Sequence, residues 1–144
     1  MSALSLPHPR TPWHVWVVGF LALLWNGSGA YTIMMAQAGR LPDVSAEEAA
    51  YYAAQPLWFV VATDIALVAA VAAAVALLLR SRIATRLFAI CVVAVLVTNA
   101  YDLAAGTSRV LVDRGALIVT GIIAVLAILQ LAYALAMKRR GVLT

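Results

Sequence analysis

Four apolar stretches of near-bilayer length, residues 13–36, 57–79, 87–103 and 116–137, take up most of a 144-residue chain. A membrane crossing needs about 20 predominantly apolar residues, so each stretch reads as a span, the third being the shortest. Too little chain remains for a soluble catalytic or DNA-reading domain. The expected fold is an all-α integral membrane protein, with four transmembrane helices in an antiparallel bundle that forms a single domain, residues 1–144. Composition points the same way, with 65% apolar and 11% charged residues, against an apolar share of about half in ordinary soluble domains.

The leader, residues 1–12, carries Pro7, Pro9 and Pro12. It cannot be helical throughout, because proline removes a backbone donor and clashes with the preceding turn. A cleavable signal peptide is the competing reading of the first span, since Arg10 precedes the apolar core and Ser28, Gly29 and Ala30 are small. Apolar residues continue to Ala36 and complete a bilayer length, so a retained first helix is expected.

Orientation follows from the basic residues, which favour the cytoplasmic side when they lie in short loops. Seven of the ten, Arg10, Arg80, Arg82, Arg86, Lys138, Arg139 and Arg140, fall on one side, and only Arg40, Arg109 and Arg114 fall on the other. Both termini are expected in the cytoplasm of a cell bounded by an inner membrane. The net charge of +4 does not imply nucleic acid, because the cations sit at helix ends and not in a cluster that tracks a groove.

The outer loop, residues 37–55, carries its own helix signal. Ser45 followed by Glu48 makes a capping box, in which hydroxyl and carboxylate satisfy each other's free backbone donors, so a short interfacial helix over residues 46–54 is expected. Glu47 and Glu48 would face water, with Tyr51, Tyr52 and Trp58 at headgroup depth, where amphipathic rings are favoured. Such a helix is either a simple anchor or a lid over an outer vestibule. Trp13, Trp16 and Tyr133 read as the inner aromatic belt.

Chemical content lies in the polar groups at lipid depth: Asn26 in the first span, Thr63 and Asp64 in the second, Thr98, Asn99 and Asp102 in the third, and Thr120 in the fourth. All are expected in the outer half of the membrane. A carboxylate there costs on the order of 2 to 3 kcal/mol unless paired, hydrated or protonated. Asn26, Asp64, Asn99 and Asp102 therefore form the candidate polar cluster, with Thr63, Thr98, Thr120, Arg109 and Arg114 as secondary members.

At 100° per residue, Thr98, Asn99 and Asp102 share one arc of their helix. Gly19, Ala22, Asn26 and Gly29 share a narrow face of the first, where Asn26 is expected to bond to the second or third span. Ala62, Ala66, Ala70 and Ala74 form a small-residue stripe, from which Asp64 points about 200° away. Asp64 is expected either to hydrogen-bond Asn26 or pair with Arg109 or Arg114, or to serve a solute or a proton.

Several chemistries are excluded. The chain has no GxxxxGK[ST] phosphate loop, no HExxH pair, and no Ser, His and Asp set with plausible nucleophile geometry. Its single cysteine, Cys91, rules out a disulfide within one chain. His8 and His14 lie far in depth from Asp64 and Asp102, so no metal site, no cofactor and no enzyme activity are expected.

The run Leu24-Trp25-Asn26-Gly27, the segment from Glu48 through Tyr51, Tyr52, Pro56 and Trp58, the basic turn after Leu77-Leu78-Leu79-Arg80, and the tail from Arg139 to Leu143 carry a resemblance along nearly the whole chain. It resembles a group of small bacterial four-helix inner-membrane proteins, often labelled hypothetical proteins or sugar transporters. The group often has an acidic residue where Ala30 stands and an aromatic where Thr63 stands. The resemblance implies a fold and a membrane, and it brings no binding or catalytic residues. Drug-exporting small multidrug transporters match less well, since they depend on a glutamate inside the first helix and this one has none.

Two functions fit these readings. One is an accessory or structural subunit that binds other membrane helices, its polar groups holding the bundle together. The other is an oligomer, expected to be a dimer, that moves a small polar solute or a cation along Asn26, Asp64, Asn99 and Asp102.

Overall fold

The computed structural model describes residues 12–42, 45–104 and 114–144, without the side chains of Glu47 and residues 114–117. The leader to residue 11, with His8 and Arg10, and the segment carrying Arg109 lie outside the described residues, as does the side chain of Arg114. Among the described residues the chain is all helical. It comprises α1 (His14–Gln37), α2 (Ala46–Ala54), α3 (Leu57–Leu78), α4 (Ile83–Ala104) and α5 (Arg114–Arg139).

Four of these, α1, α3, α4 and α5, are long and apolar enough to cross a membrane, which marks a multi-pass helical membrane protein. Helix α4 begins four residues before the expected span, at Ile83, because helical hydrogen bonding continues past the point where Arg86 ends the apolar run. Helix α5 likewise extends beyond residues 116–137, to Arg114 and Arg139. Large apolar side chains such as Phe20, Leu21, Val68, Val93 and Ile118 are exposed, as lipid-facing positions are in a chain of this kind.

Three of the long helices end in the same way. At α1, Gly39 takes a φ of 65°, its N–H donates to Ala36 O, and Arg40 N–H donates to Met35 O at 2.8 Å. At α5, Gly141 has a φ of 72° and Val142 N–H donates to Met137 O. These pairs satisfy carbonyls that the last turn leaves free, and glycine enters the left-handed region without a Cβ clash. At α3 the same turn is made by Arg80, with a φ of 56°, and Ser81 N–H donates to Ala76 O at 2.8 Å.

The strained Arg80 position is held from outside. Thr144 N–H donates to Arg80 O at 2.8 Å, Arg82 N–H donates to Thr144 O at 3.3 Å, and Arg82 Nε donates to Leu143 O at 3.2 Å. The last residues are thus folded back onto the turn between α3 and α4. Leu143 is fully buried and Val142 nearly so, packed with Val15, Leu77, Ala84, Phe88, Ala134 and Met137 in the main core.

This core lies at the basic end of the bundle, the end with the 80–82 turn. A second, smaller cluster of Ala69, Ala70, Cys91 and Ala127 lies at mid-length. Towards the α2 end, aromatic contacts take over: Tyr101 of α4 stacks edge-on against Trp58 of α3, with ring centroids 4.8 Å apart, and also touches Phe59.

Small residues decide which helices approach. Ala66, Ala70 and Ala74 of the α3 stripe are buried, and α3 packs against both α1 and α4, while α4 packs against α5. Gly19 of α1 lies so close to Leu78 of α3 that a Cβ there would stand 2.6 Å from Leu78 Cδ2. The face that begins at Gly19 and Ala22 is buried at the basic end and opens along its length, since a Cβ at Gly29 would meet nothing within 4 Å.

Candidate functional site

Three of the four candidate residues, Asn26, Asp64 and Asp102, lie in separate pairs, and Asn99 lies in none among the described residues. Asn26 Nδ2 donates to Gln130 Oε1 at 2.9 Å, so its partner is α5, where the second or third span was expected. Helices α1 and α5 share little backbone contact, and their polar side chains bridge the gap between them. Asn26 also stands at the middle of α1, and Gln130 lies in the half of α5 nearer Arg139.

Asp64 accepts from Gln37 Nε2 at 3.1 Å, at the end of α1. Among the described residues its partner is Gln37 and not Asn26, while Arg109 and the side chain of Arg114, the other expected partners, lie outside the described residues. This resolves the opposition between Asp64 and the alanine stripe on the same helix. The stripe is buried in the bundle while Asp64, half-exposed, turns to the end of α1.

Asp102 accepts from Tyr51 OH at 3.1 Å, which fastens α2 to the end of α4. The capping box at α2 is complete: Glu48 N–H donates to Ser45 Oγ, and Ser45 N–H donates to the Glu48 carboxylate at 3.0 Å. Burial pushes the Tyr51 phenol up to about 12; the Asp102 carboxylate adds to that rise, against a lowering hydrogen bond with Gln55. Tyr52 is also raised, first by burial and then by the charge on Glu48.

Of the expected arc of α4, Thr98 is buried, on the side of Ala84, Phe88 and Cys91, while Asn99 and Asp102 are half-buried. Thr98 is buried and spends its hydroxyl on the carbonyls of Ala94 and Val95, one turn back. Asn99, Thr63 and Thr120 are half-buried and make no hydrogen bond among the described residues. The set is thus not joined into one network by any hydrogen bond among the described residues.

Two partners, Gln130 and Gln37, were missed in the sequence, as was the contact of His14 with Tyr133, whose Nδ1 and hydroxyl stand 2.6 Å apart between α1 and α5. Gln130 carried a readable signal, since an amide inside the run Ile128-Leu129-Gln130-Leu131 must find a partner in lipid. No group of three or more His, Cys, Asp or Glu that could hold a metal ion occurs among the described residues. Comparison of the chain with protein-family models, characterised proteins and solved structures finds no match.

Proposed function

We propose that this chain is a small accessory or structural subunit of a bacterial inner membrane, of the four-helix kind it resembles, acting through helix packing and not through catalysis. Its spans run antiparallel, with both termini in the cytoplasm and α2 lying in the outer interface. Pairs such as Gly19 with Leu78 and Gln37 with Asp64 support the antiparallel reading of α1 and α3, and the seven-to-three division of basic residues supports the orientation.

One observation carries the functional reading. The polar groups at lipid depth that bear the most chemistry are spent on partners within the chain, Asn26 on Gln130, Asp64 on Gln37 and Asp102 on Tyr51, while apolar faces of the long helices stay exposed. Side chains used as internal fasteners leave the outer helix faces to lipid or to neighbouring helices.

The second reading, an oligomeric path for a small polar solute or cation, draws on Asn99, Thr63 and Thr120, which are half-buried. Proteoliposomes loaded with a potassium-sensitive dye, or offered labelled glucose, separate the two readings. The accessory reading expects the chain and its Asp64→Asn variant to match protein-free vesicles. Uptake that depends on the protein and falls in the variant overturns it. For orientation, Ser81→Cys in a variant without Cys91 should resist a membrane-impermeant thiol reagent in intact cells.

A further inference from the structure

An open groove of about 480 Å3 runs between α3 and α4, lined by Ala62 and Ile65 of the first and by Ala89, Val93, Ala94, Val97 and their neighbour Ile90 of the second. Every lining side chain is apolar. Alanines make its floor low, and the branched residues make its walls. Such an apolar groove on the outer face of a membrane helix pair suits a hydrocarbon chain.

The groove has a charged mouth. At 100° per residue, Arg86, Ile90, Val93 and Val97 fall within about 60° of one another on α4, so Arg86 lies in line with the groove. It is exposed, and among the described residues it makes no hydrogen bond or ion pair. Arg86 precedes Ala89 by three residues, about 4.5 Å of helix. A long side chain points back towards the helix N-terminus and extends to the interface. The guanidinium therefore reaches headgroup level while the groove begins about one turn deeper.

Other basic side chains share this end of the bundle. Arg80 and Arg82 occupy the adjoining turn, and Lys138, Arg139 and Arg140 end α5 beside the folded-back tail. All six carboxylate side chains of the sequence, at positions 43, 47, 48, 64, 102 and 113, belong to other segments. A second copy of the chain is a poor occupant, because a two-fold contact through this groove between copies with the same orientation sets Arg86 against its own equivalent. An anion with an apolar tail is complementary to both parts.

We propose that the α3–α4 groove and Arg86 together form a binding site for an anionic phospholipid, an acyl chain lying along Ala89, Val93 and Val97 and a phosphate oxygen accepting from the Arg86 guanidinium. A zwitterionic lipid offers the same phosphate and chain but brings an added cation towards an end already rich in them. Selectivity comes from that difference. A basic side chain at an anionic surface gives about a fivefold preference.

Native mass spectrometry of the detergent-solubilised full chain, with phosphatidylglycerol or phosphatidylcholine of identical acyl chains added, tests this. One phosphatidylglycerol should be retained about fivefold better than phosphatidylcholine. Arg86→Gln should lower that preference, Arg86→Lys should keep more of it, and Ala94→Leu, which fills the groove, should lower retention of both. Arg86 is exposed, so its variants keep the core intact. Equal retention of both lipids by the parent chain, or an undiminished preference in Arg86→Gln, overturns the proposal. So does efficient disulfide formation between two copies through Val93→Cys in phosphatidylglycerol vesicles, since the groove would then belong to a second copy.

Discussion

The Asn26 amide stands 2.9 Å from the Gln130 side-chain oxygen and ties α1 to α5, the outer members of a contact series that otherwise runs α1, α3, α4, α5. Interhelical hydrogen bonds of this kind average about 0.6 kcal/mol in membranes and reach about 2. Asn26→Ala and Gln130→Ala should each lower thermal stability in detergent by that order. A double-mutant cycle should return a coupling of similar size. Replacing both by leucine should be nearly neutral, since two apolar groups leave no polar atom unpaired. Additive losses in the cycle would show that the bond contributes nothing.

Gly19 and Gly29 sit on one face of α1 but meet different surroundings. A Cβ at Gly19 would stand 2.6 Å and 2.9 Å from Leu78 Cδ2 and Cγ, whereas one at Gly29 would meet nothing within 4 Å. Gly19→Ala forces Leu78 aside and should cost about 1 to 3 kcal/mol, the usual range for overpacking. Gly29→Ala should change stability by less than about 1 kcal/mol, in the stabilising direction, because alanine is the better helix former. Equal midpoints for the two variants would contradict the close approach of α1 and α3.

How much of this was legible depends on whether the signal is local. The four long helices follow from stretches of apolar residues, and α2 from Ser45 and Glu48, because both patterns act within one helix. The α4 arc of Thr98, Asn99 and Asp102 was readable as a face for the same reason. Partners were not. Periodicity places Asn26 on an arc but is silent about whether α3, α4 or α5 lies opposite, and Gln37, at the last turn of α1, looks like a solvated helix end until Asp64 is seen beside it. The folded-back tail was unreadable for a further reason: Val142 and Leu143 alone make no periodic pattern, and their burial depends on the 80–82 turn.

The contact between Tyr51 and Asp102 carries a pH dependence with a definite sign. Burial raises the Tyr51 phenol from its ordinary value of 10.0 to about 12, so the folded state holds the proton more tightly than the unfolded one. That contribution is fully present below pH about 10 and is lost as pH climbs through about 12. Difference absorbance between the parent chain and Tyr51→Phe should place the tyrosinate midpoint near 12. Asp102→Asn removes a nearby negative charge and should lower the midpoint without returning it to 10, since burial remains. A midpoint at 10 in the parent chain would mean that α2 is not docked.

Leu143 anchors the folded-back segment. Its side chain is fully buried among Val15, Leu77, Phe88 and Met137, and truncating a buried leucine costs about 2 to 5 kcal/mol when the site cannot collapse. Here the tail has an alternative, which is to undock, so the loss is capped by what docking contributes. Leu143→Ala should therefore lower thermal stability towards the lower end of that range. It should also speed amide exchange at Val142 and Thr144, whose N–H groups donate to Met137 O and Arg80 O. Thr144→Ala keeps those backbone bonds and removes only an exposed side chain, so it should leave both readouts unchanged. Exchange as fast at Val142 in the parent chain as in Leu143→Ala would show that the segment is not packed against the 80–82 turn, and that Arg80 must hold its left-handed conformation without help from the tail.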